Sequence, residues 1–136
     1  MSAASQPAVG DWLGNAFDQN CPTRVVLDRI GDKWTVLVVL ALVDGPLRFT
    51  VLRERIGGIT GKVLTSTLRS MLRDGLVERT AYATVPPTVE YELTELGDSL
   101  RQPIDELRSW AERHVAHIVR NREAHDAGPS LASQLT

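Results

Sequence analysis

The chain has 136 residues, 15 Lys+Arg against 17 Asp+Glu for a formal net charge of −2, 43% apolar residues and one Cys. This length fits one domain and excludes a multi-domain enzyme, while a lone Cys excludes an intramolecular disulfide and a Cys-rich metal cage and points to the reducing cytoplasm. No apolar run reaches the ~20 residues of a membrane span, and the acidic balance speaks against a nucleic-acid partner, which leaves a basic footprint.

Residues 1–10 and 123–136 are small, polar and broken by Pro and Gly. Both are expected to be flexible tails around one folded domain at 11–122. A first helix is predicted over 21–31, with Cys21 at the N-cap and Pro22 at the first helical position, where its missing N–H would be unpaired anyway. Val25, Val26 and Ile30 give it an apolar face. From Asp32 to the stop at Asp44-Gly45-Pro46, a second helix is apolar almost all round and belongs at the centre of the core. Leu47-Arg48-Phe49 reads as a short strand, and Thr50 as the N-cap of a helix through Ile56. Gly57-Gly58-Ile59 then turns the chain, and Thr60 caps a helix at 61–73 that Asp74-Gly75 ends.

Two short helices joined by a glycine turn make a helix-turn-helix at 50–74. Residues 76–82 and 89–94 read as strands, the second by the alternation of Val89, Tyr91 and Leu93 with Glu90 and Glu92, around 83–88, whose prolines cannot lie inside a sheet. This hairpin forms a wing at 76–94, of two strands or of three with 47–49. A last helix at 95–122 repeats Leu96, Leu100, Ile104, Leu107, Ala111, His114 and Ile118 on one stripe. The stripe is longer than so small a core needs, so Leu100, Ile104, Leu107, Ala111, His114 and Ile118 are expected to meet the same helix of a second copy. The fold class is α+β, mainly α: a winged helix-turn-helix with long terminal dimerisation helices.

In a winged helix the second helix enters the major groove and the hairpin lies on the backbone or minor groove. Here Val63, Leu64, Leu68, Met71 and Leu72 take one face of that helix, while Lys62, Thr65, Ser66, Arg69 and Arg73 take the other with no acid among them. Arginine can fork onto guanine, and Thr and Ser bond base edges or phosphates. By position Lys62 suits a phosphate beside the helix start, and Arg69, Thr65 and Ser66 suit bases. A charged face is often merely solvated; the preceding helix, the turn and the hairpin together favour double-stranded DNA as the partner.

Cys21-Pro22, Ile30-Gly31-Asp32-Lys33-Trp34, Arg48-Phe49, Gly58-Ile59-Thr60, Asp74-Gly75-Leu76-Val77-Glu78-Arg79, Val85-Pro86-Pro87 and the stretch from Val89 to Gly97 resemble the HxlR family of bacterial winged-helix transcriptional regulators. The resemblance covers about residues 21–110. It implies a homodimeric DNA-binding repressor or activator whose N- and C-terminal helices form the dimer interface, with Pro86, Pro87 and Thr88 on the DNA side of the wing. Members often carry Arg after the two prolines; Thr88 stands there instead, which puts a minor-groove Arg contact in doubt. Gly61 also weakens the start of the recognition helix slightly.

Cys21, at a helix start and three residues before Arg24, is placed for thiolate character through the helix dipole and a nearby cation. Some members of the resembled family sense oxidants, quinones or aldehydes with a cysteine at this place, and others do not, so a redox or electrophile-sensing thiol and an inert capping residue both stand. His114 and His117 lie at i, i+3 without an acidic ligand on the same face. They read as interface or core histidines, and no metal or cofactor is expected. No GxSxG, phosphate loop, HExxH or CxxC supports an enzyme. The alternatives to a DNA regulator switched at Cys21 are a protein-interaction winged helix, which would want an acidic or apolar second helix, and a ligand- or metal-responsive regulator. The charge objection also weakens on division: residues 21–94 hold ten Lys+Arg against eight Asp+Glu, and the excess acids lie in the flanks.

Overall fold

The structure, a computed structural model, describes residues 14–128. The expected tail at 1–10 and the last residues of that at 123–136 lie outside the described residues. The chain divides into two units, residues 1–98 and 99–136.

In the first unit, α1 (Thr23–Gly31) meets α2 (Lys33–Leu42) at a single residue, Asp32. Asp32 is extended (ψ 118°) and its carboxylate accepts the N–H groups of Trp34 at 2.8 Å and Thr35 at 3.4 Å, two of the donors a helix start leaves unpaired. The N-cap of α1 is Pro22 rather than Cys21. The N–H of Cys21 is already tied to the Asp18 carbonyl at 3.0 Å, which holds that residue in the preceding turn.

As its composition requires, α2 is central. Thr35, Val38, Val39, Ala41 and Leu42 are all buried, and the helix packs against α1, β3 and the two helices that follow it. Strand β1 (Leu47–Arg48) leads directly into α3 (Phe49–Arg55), whose N-cap is Arg48 and not Thr50. The pairing of Leu47 with Tyr91 and Arg48 with Glu90 keeps the backbone extended up to the first helical residue, so the strand decides where the helix begins.

Leu52 and Ile56 of α3 join Leu64, Leu68 and Met71 of α4 (Gly61–Arg73) in the core. Each such side chain contributes about 1.5–3 kcal/mol on full burial. Helix α4 ends at Gly75, whose φ of +76° is open to a residue without Cβ. The N–H of Leu76 bonds the Met71 carbonyl at 2.9 Å and that of Gly75 bonds the Leu72 carbonyl at 3.1 Å, a complete glycine-stopped helix end. Strands β2 (Val77–Tyr82) and β3 (Thr88–Leu93) follow at once. The sheet is antiparallel in the order β1-β3-β2, in register from Val77 opposite Leu93 to Tyr82 opposite Thr88.

Thr94 locks this junction. Its hydroxyl donates to the Gly75 carbonyl at 2.5 Å and accepts the Gly97 N–H at 3.0 Å, while its own N–H reaches the Leu76 carbonyl at 3.0 Å. The short α5 (Glu95–Asp98) is thereby pressed onto Leu76: a Cβ on Gly97 would stand 1.9 Å from that carbonyl oxygen.

The second unit holds α6 (Arg101–Ala127). The helix expected over 95–122 is therefore two helices. Pro103 has no N–H and its ring opposes the carbonyl of Ser99, so a continuous helix breaks there; in the first turn of a new helix the missing N–H has no partner to lose. The same helix continues five residues beyond the expected end. Ala124 and Ala127 favour helix, His125 suits the last turn, and the Gly128 N–H closes onto the His125 carbonyl at 3.2 Å. Residues 123–127 are thus helix, not tail.

Candidate nucleic-acid interface

Helix α4 is anchored at its start by Thr60, whose hydroxyl accepts the Val63 N–H at 3.1 Å. Leu64, Thr67, Leu68 and Met71 then turn inward, which sets the azimuth of everything else. Lys62, Thr65, Ser66, Arg69 and Arg73 are all exposed. Among the described residues, Lys62, Ser66, Arg69 and Arg73 make no side-chain hydrogen bond or ion pair, so three cationic groups stand uncompensated on one face. Thr65 differs: its hydroxyl donates to the Gly61 carbonyl at 2.8 Å, leaving its lone pairs and methyl to face outward.

One basic group near this face was not singled out from sequence. Arg53, exposed on α3, brings its guanidinium within 3.4 Å of where a Gly61 Cβ would lie, so it covers the start of α4. The signal was the basic last turn of the first helix of the helix-turn-helix, which only the folded turn carries to Gly61.

The wing tip is internally tied. Thr84 donates to the Pro86 carbonyl at 2.7 Å and lies 2.8 Å from the Thr88 hydroxyl, so Thr88 faces Thr84 and is only half-exposed, whereas Pro86 and Pro87 are exposed. Val85, also not anticipated, is fully exposed at the tip. Along the strands Glu78 lies opposite Glu92, and Tyr82 hydrogen-bonds Glu90, which with the charge of that carboxylate raises the phenol above its ordinary pKa. The wing offers Arg79 as its cation and presents an apolar tip.

At the other end of the unit, Cys21 is half-buried. Its sulfur lies 3.1 Å from the Thr23 hydroxyl and accepts the Asn15 N–H at 3.3 Å. These bonds, that from Thr23 first, lower the thiol below its ordinary pKa, against opposition from partial burial and Asp18. The direction agrees with the expectation from sequence, and the Thr23 backbone at the helix start is among its causes, but the expected cation is not: Arg24 instead donates to the Ala16 carbonyl at 3.2 Å and to that of Phe17 at 3.5 Å, tying down the turn. Gly14 closes over Thr23 so tightly that a Cβ would meet its hydroxyl at 1.9 Å.

Of the six stripe residues expected at a dimer interface, Leu107, Ala111 and Ile118 are exposed, and Leu100 and His114 are half-buried. Ile104 is 1% exposed. Trp110, Val115 and Val119 add to the exposed apolar surface of α6, and His114 stacks on Trp110 at 4.5 Å between ring centres with its Nδ1 2.8 Å from the Trp110 carbonyl oxygen. No group of His, Cys, Asp and Glu among the described residues is arranged to hold a metal.

The family model for the HxlR-like helix-turn-helix matches residues 29–119. The chain belongs to the HxlR family. Its HxlR relatives include the HTH-type transcriptional regulator YtfH of Escherichia coli K12, 39% identical over 114 residues, 84% of this chain and 90% of that one. Among solved structures, the transcriptional regulator ytfH from Salmonella typhimurium superposes with a TM-score of 0.75 at 39% identity, covering 82% of this chain and 99% of that chain. The redox regulator HypR in its reduced form gives 0.67 at 36% identity, covering 73% and 98%. This HxlR chain is a winged helix-turn-helix transcriptional regulator. No helix among its described residues is long and apolar enough to cross a membrane.

Proposed function

We propose that this regulator works in the cytoplasm as a homodimer that reads a pseudo-palindromic site in double-stranded DNA with the outward face of α4. The observation that carries this is the acid-free set Lys62, Thr65, Ser66, Arg69 and Arg73, exposed together beside Arg53. Arg69 reads a base and Lys62 holds a phosphate, while Pro86 and Pro87 at the wing tip lie against the groove edge. Helices related by a two-fold enter successive major grooves, which puts half-site centres about 10 bp apart. The exposed apolar residues of α1 and α6 are the surfaces that meet the second copy.

The test is DNA selection from a random pool, followed by anisotropy titrations of wild type, Arg69→Ala and Lys62→Ala. A bidentate Arg–guanine pair discriminates by about 1–3 kcal/mol; losing one per half-site lowers specific affinity at least about 30-fold with circular dichroism and dimer mass unchanged. Specific affinity within threefold of wild type refutes the assignment. Lys62→Ala weakens specific and non-specific binding alike and flattens the salt slope by about one unit per subunit. Failure to select any DNA returns the protein-interaction alternative.

A second reading concerns the signal. The lowered thiol of Cys21 and the resemblance to the redox regulator HypR support Cys21 as a redox switch that changes operator affinity. With no second Cys in the chain, oxidation joins two Cys21 thiols across the dimer or one Cys21 to a small thiol; diamide accepts the two electrons and two protons released. Diamide treatment of wild type against Cys21→Ser decides it, and unchanged DNA binding by treated wild type rejects it.

A further inference from the structure

Helix α1 buries none of its residues, and Val25, Val26 and Leu27 are each at least half exposed. It is joined to α2 through Asp32, with no intervening linker. Its tie to α4 is polar and directional: Arg29 Nε, in its last turn, donates to Asp74 Oδ2 at 2.5 Å across 45 residues of sequence, with the two side chains 26% and 29% exposed. That shelter leaves the pair less screened than an open surface pair.

Asp74 is the C-cap of α4. A carboxylate at the negative end of a helix dipole is locally unfavourable, and Asn before Gly75 would make the same turn without the charge. The acid is therefore explained by Arg29 and not by the helix it ends. Apolar packing through Leu64 and Leu68 holds the middle of α4, and the hydrophobic effect behind it is non-directional, whereas an ion pair at one end of the helix acts along a fixed direction.

We propose that the Arg29–Asp74 pair fixes the tilt of the recognition helix against α1, and thereby sets which half-site spacing the dimer accepts. This rests on the reading above, in which α4 enters the groove and α1 faces the second copy. The lever arithmetic favours it. From the middle of α4 to Lys62, the phosphate-holding residue of its first turn, is about 7.5 Å at 1.5 Å per residue. A tilt of about 10° moves each such first turn by about 1.3 Å, and two related by a two-fold by about 2.6 Å, most of the ~3.4 Å rise of one base pair. Arg29 and Asp74 are positioning residues that touch no base.

The experiment uses the full-length dimer and its selected operator, with identical half-sites rebuilt one base pair closer and one farther apart. Anisotropy gives the affinity ratio between optimal and altered spacing for wild type, Arg29→Gln, Asp74→Asn and the exchanged pair Arg29→Asp/Asp74→Arg. Wild type is expected to prefer its own spacing at least tenfold. Each single variant brings that ratio to threefold or less while keeping dimer mass and thermal midpoint, and the exchange restores most of it. Single variants that keep the wild-type ratio, or that weaken all three spacings equally with a lowered midpoint, overturn the proposal. A wild type that is monomeric, or selects no DNA, overturns the DNA-reading function itself, which separates the two failures.

Discussion

Replacing Gly97 by Ala isolates one contact on which the recognition helix and the wing both depend. The new Cβ would lie 1.9 Å from the Leu76 carbonyl oxygen and 2.9 Å from its carbon. Both are backbone atoms, so no rotamer change relieves the clash, and α5 must move away by about 1 Å to restore van der Waals distance. Overpacking of this kind costs about 1–3 kcal/mol. The shift also strains the Thr94 N–H bond to the same carbonyl at 3.0 Å, worth about 1 kcal/mol. Against this, Ala recovers at most about 1 kcal/mol of helix propensity over Gly. The balance is a loss of about 1–3 kcal/mol, which for a domain near 100 residues lowers the thermal midpoint by about 4–12 °C. Urea and thermal denaturation followed by circular dichroism measure it, with Gly57→Ala as control: a Cβ there meets nothing within 4 Å. A Gly97→Ala midpoint within 2 °C of wild type, or a control that falls equally, refutes the reasoning. Because Leu76 follows the stop of α4 and precedes β2, weaker operator binding should accompany the loss of stability.

Thr23→Val removes the main cause of the lowered Cys21 thiol, so the pH midpoint for iodoacetamide alkylation should rise and the rate at fixed pH near 7 should fall, because less thiolate is present below the new pKa; an unmoved midpoint would assign the shift elsewhere. Asp32→Ala deprives Trp34 and Thr35 of their acceptor and is expected to lower stability by about 1 kcal/mol in urea titration. Thr88→Arg restores a cation at a wing tip that otherwise presents Val85 and two prolines. Non-specific DNA affinity should increase at low salt, with a slope steeper by up to about one unit per subunit; an unchanged slope places the tip away from the DNA.

What the sequence made legible was whatever repeats locally. The 3.6-residue period of 61–73 assigns inward Leu64, Leu68 and Met71 and outward Lys62, Ser66 and Arg69 with no knowledge of the rest of the chain. Asp74-Gly75 likewise announces the end of that helix. What was hidden depends on partners distant in sequence. The start of α3 at Phe49 is decided by β3, the approach of Gly97 to Leu76 by the Thr94 junction, and the ion pair of Arg29 by a residue 45 positions away. The acidity of Cys21 was expected from the helix start and from Arg24; it follows from Thr23 at that helix start and from a turn at Asn15 that carries no periodic signal, and not from Arg24. The break before α6 was readable in principle. Pro103 stands in the sequence, and the apolar stripe running through it concealed what a ring without an N–H must do.

Asp32 belongs to two helices at once, and that leaves the connection between them with no slack. A loop can absorb an inserted or deleted residue; a shared cap cannot. One extra residue within α1 would turn Val25 and Val26 by about 100° about the helix axis while Asp32 stayed with Trp34 and Thr35, so the exposed apolar face of α1 would point elsewhere although α2 and α4 still folded. The length of α1 therefore fixes the direction in which its apolar side chains point, and the segment from Thr23 to Asp32 has no loop in which to absorb a change.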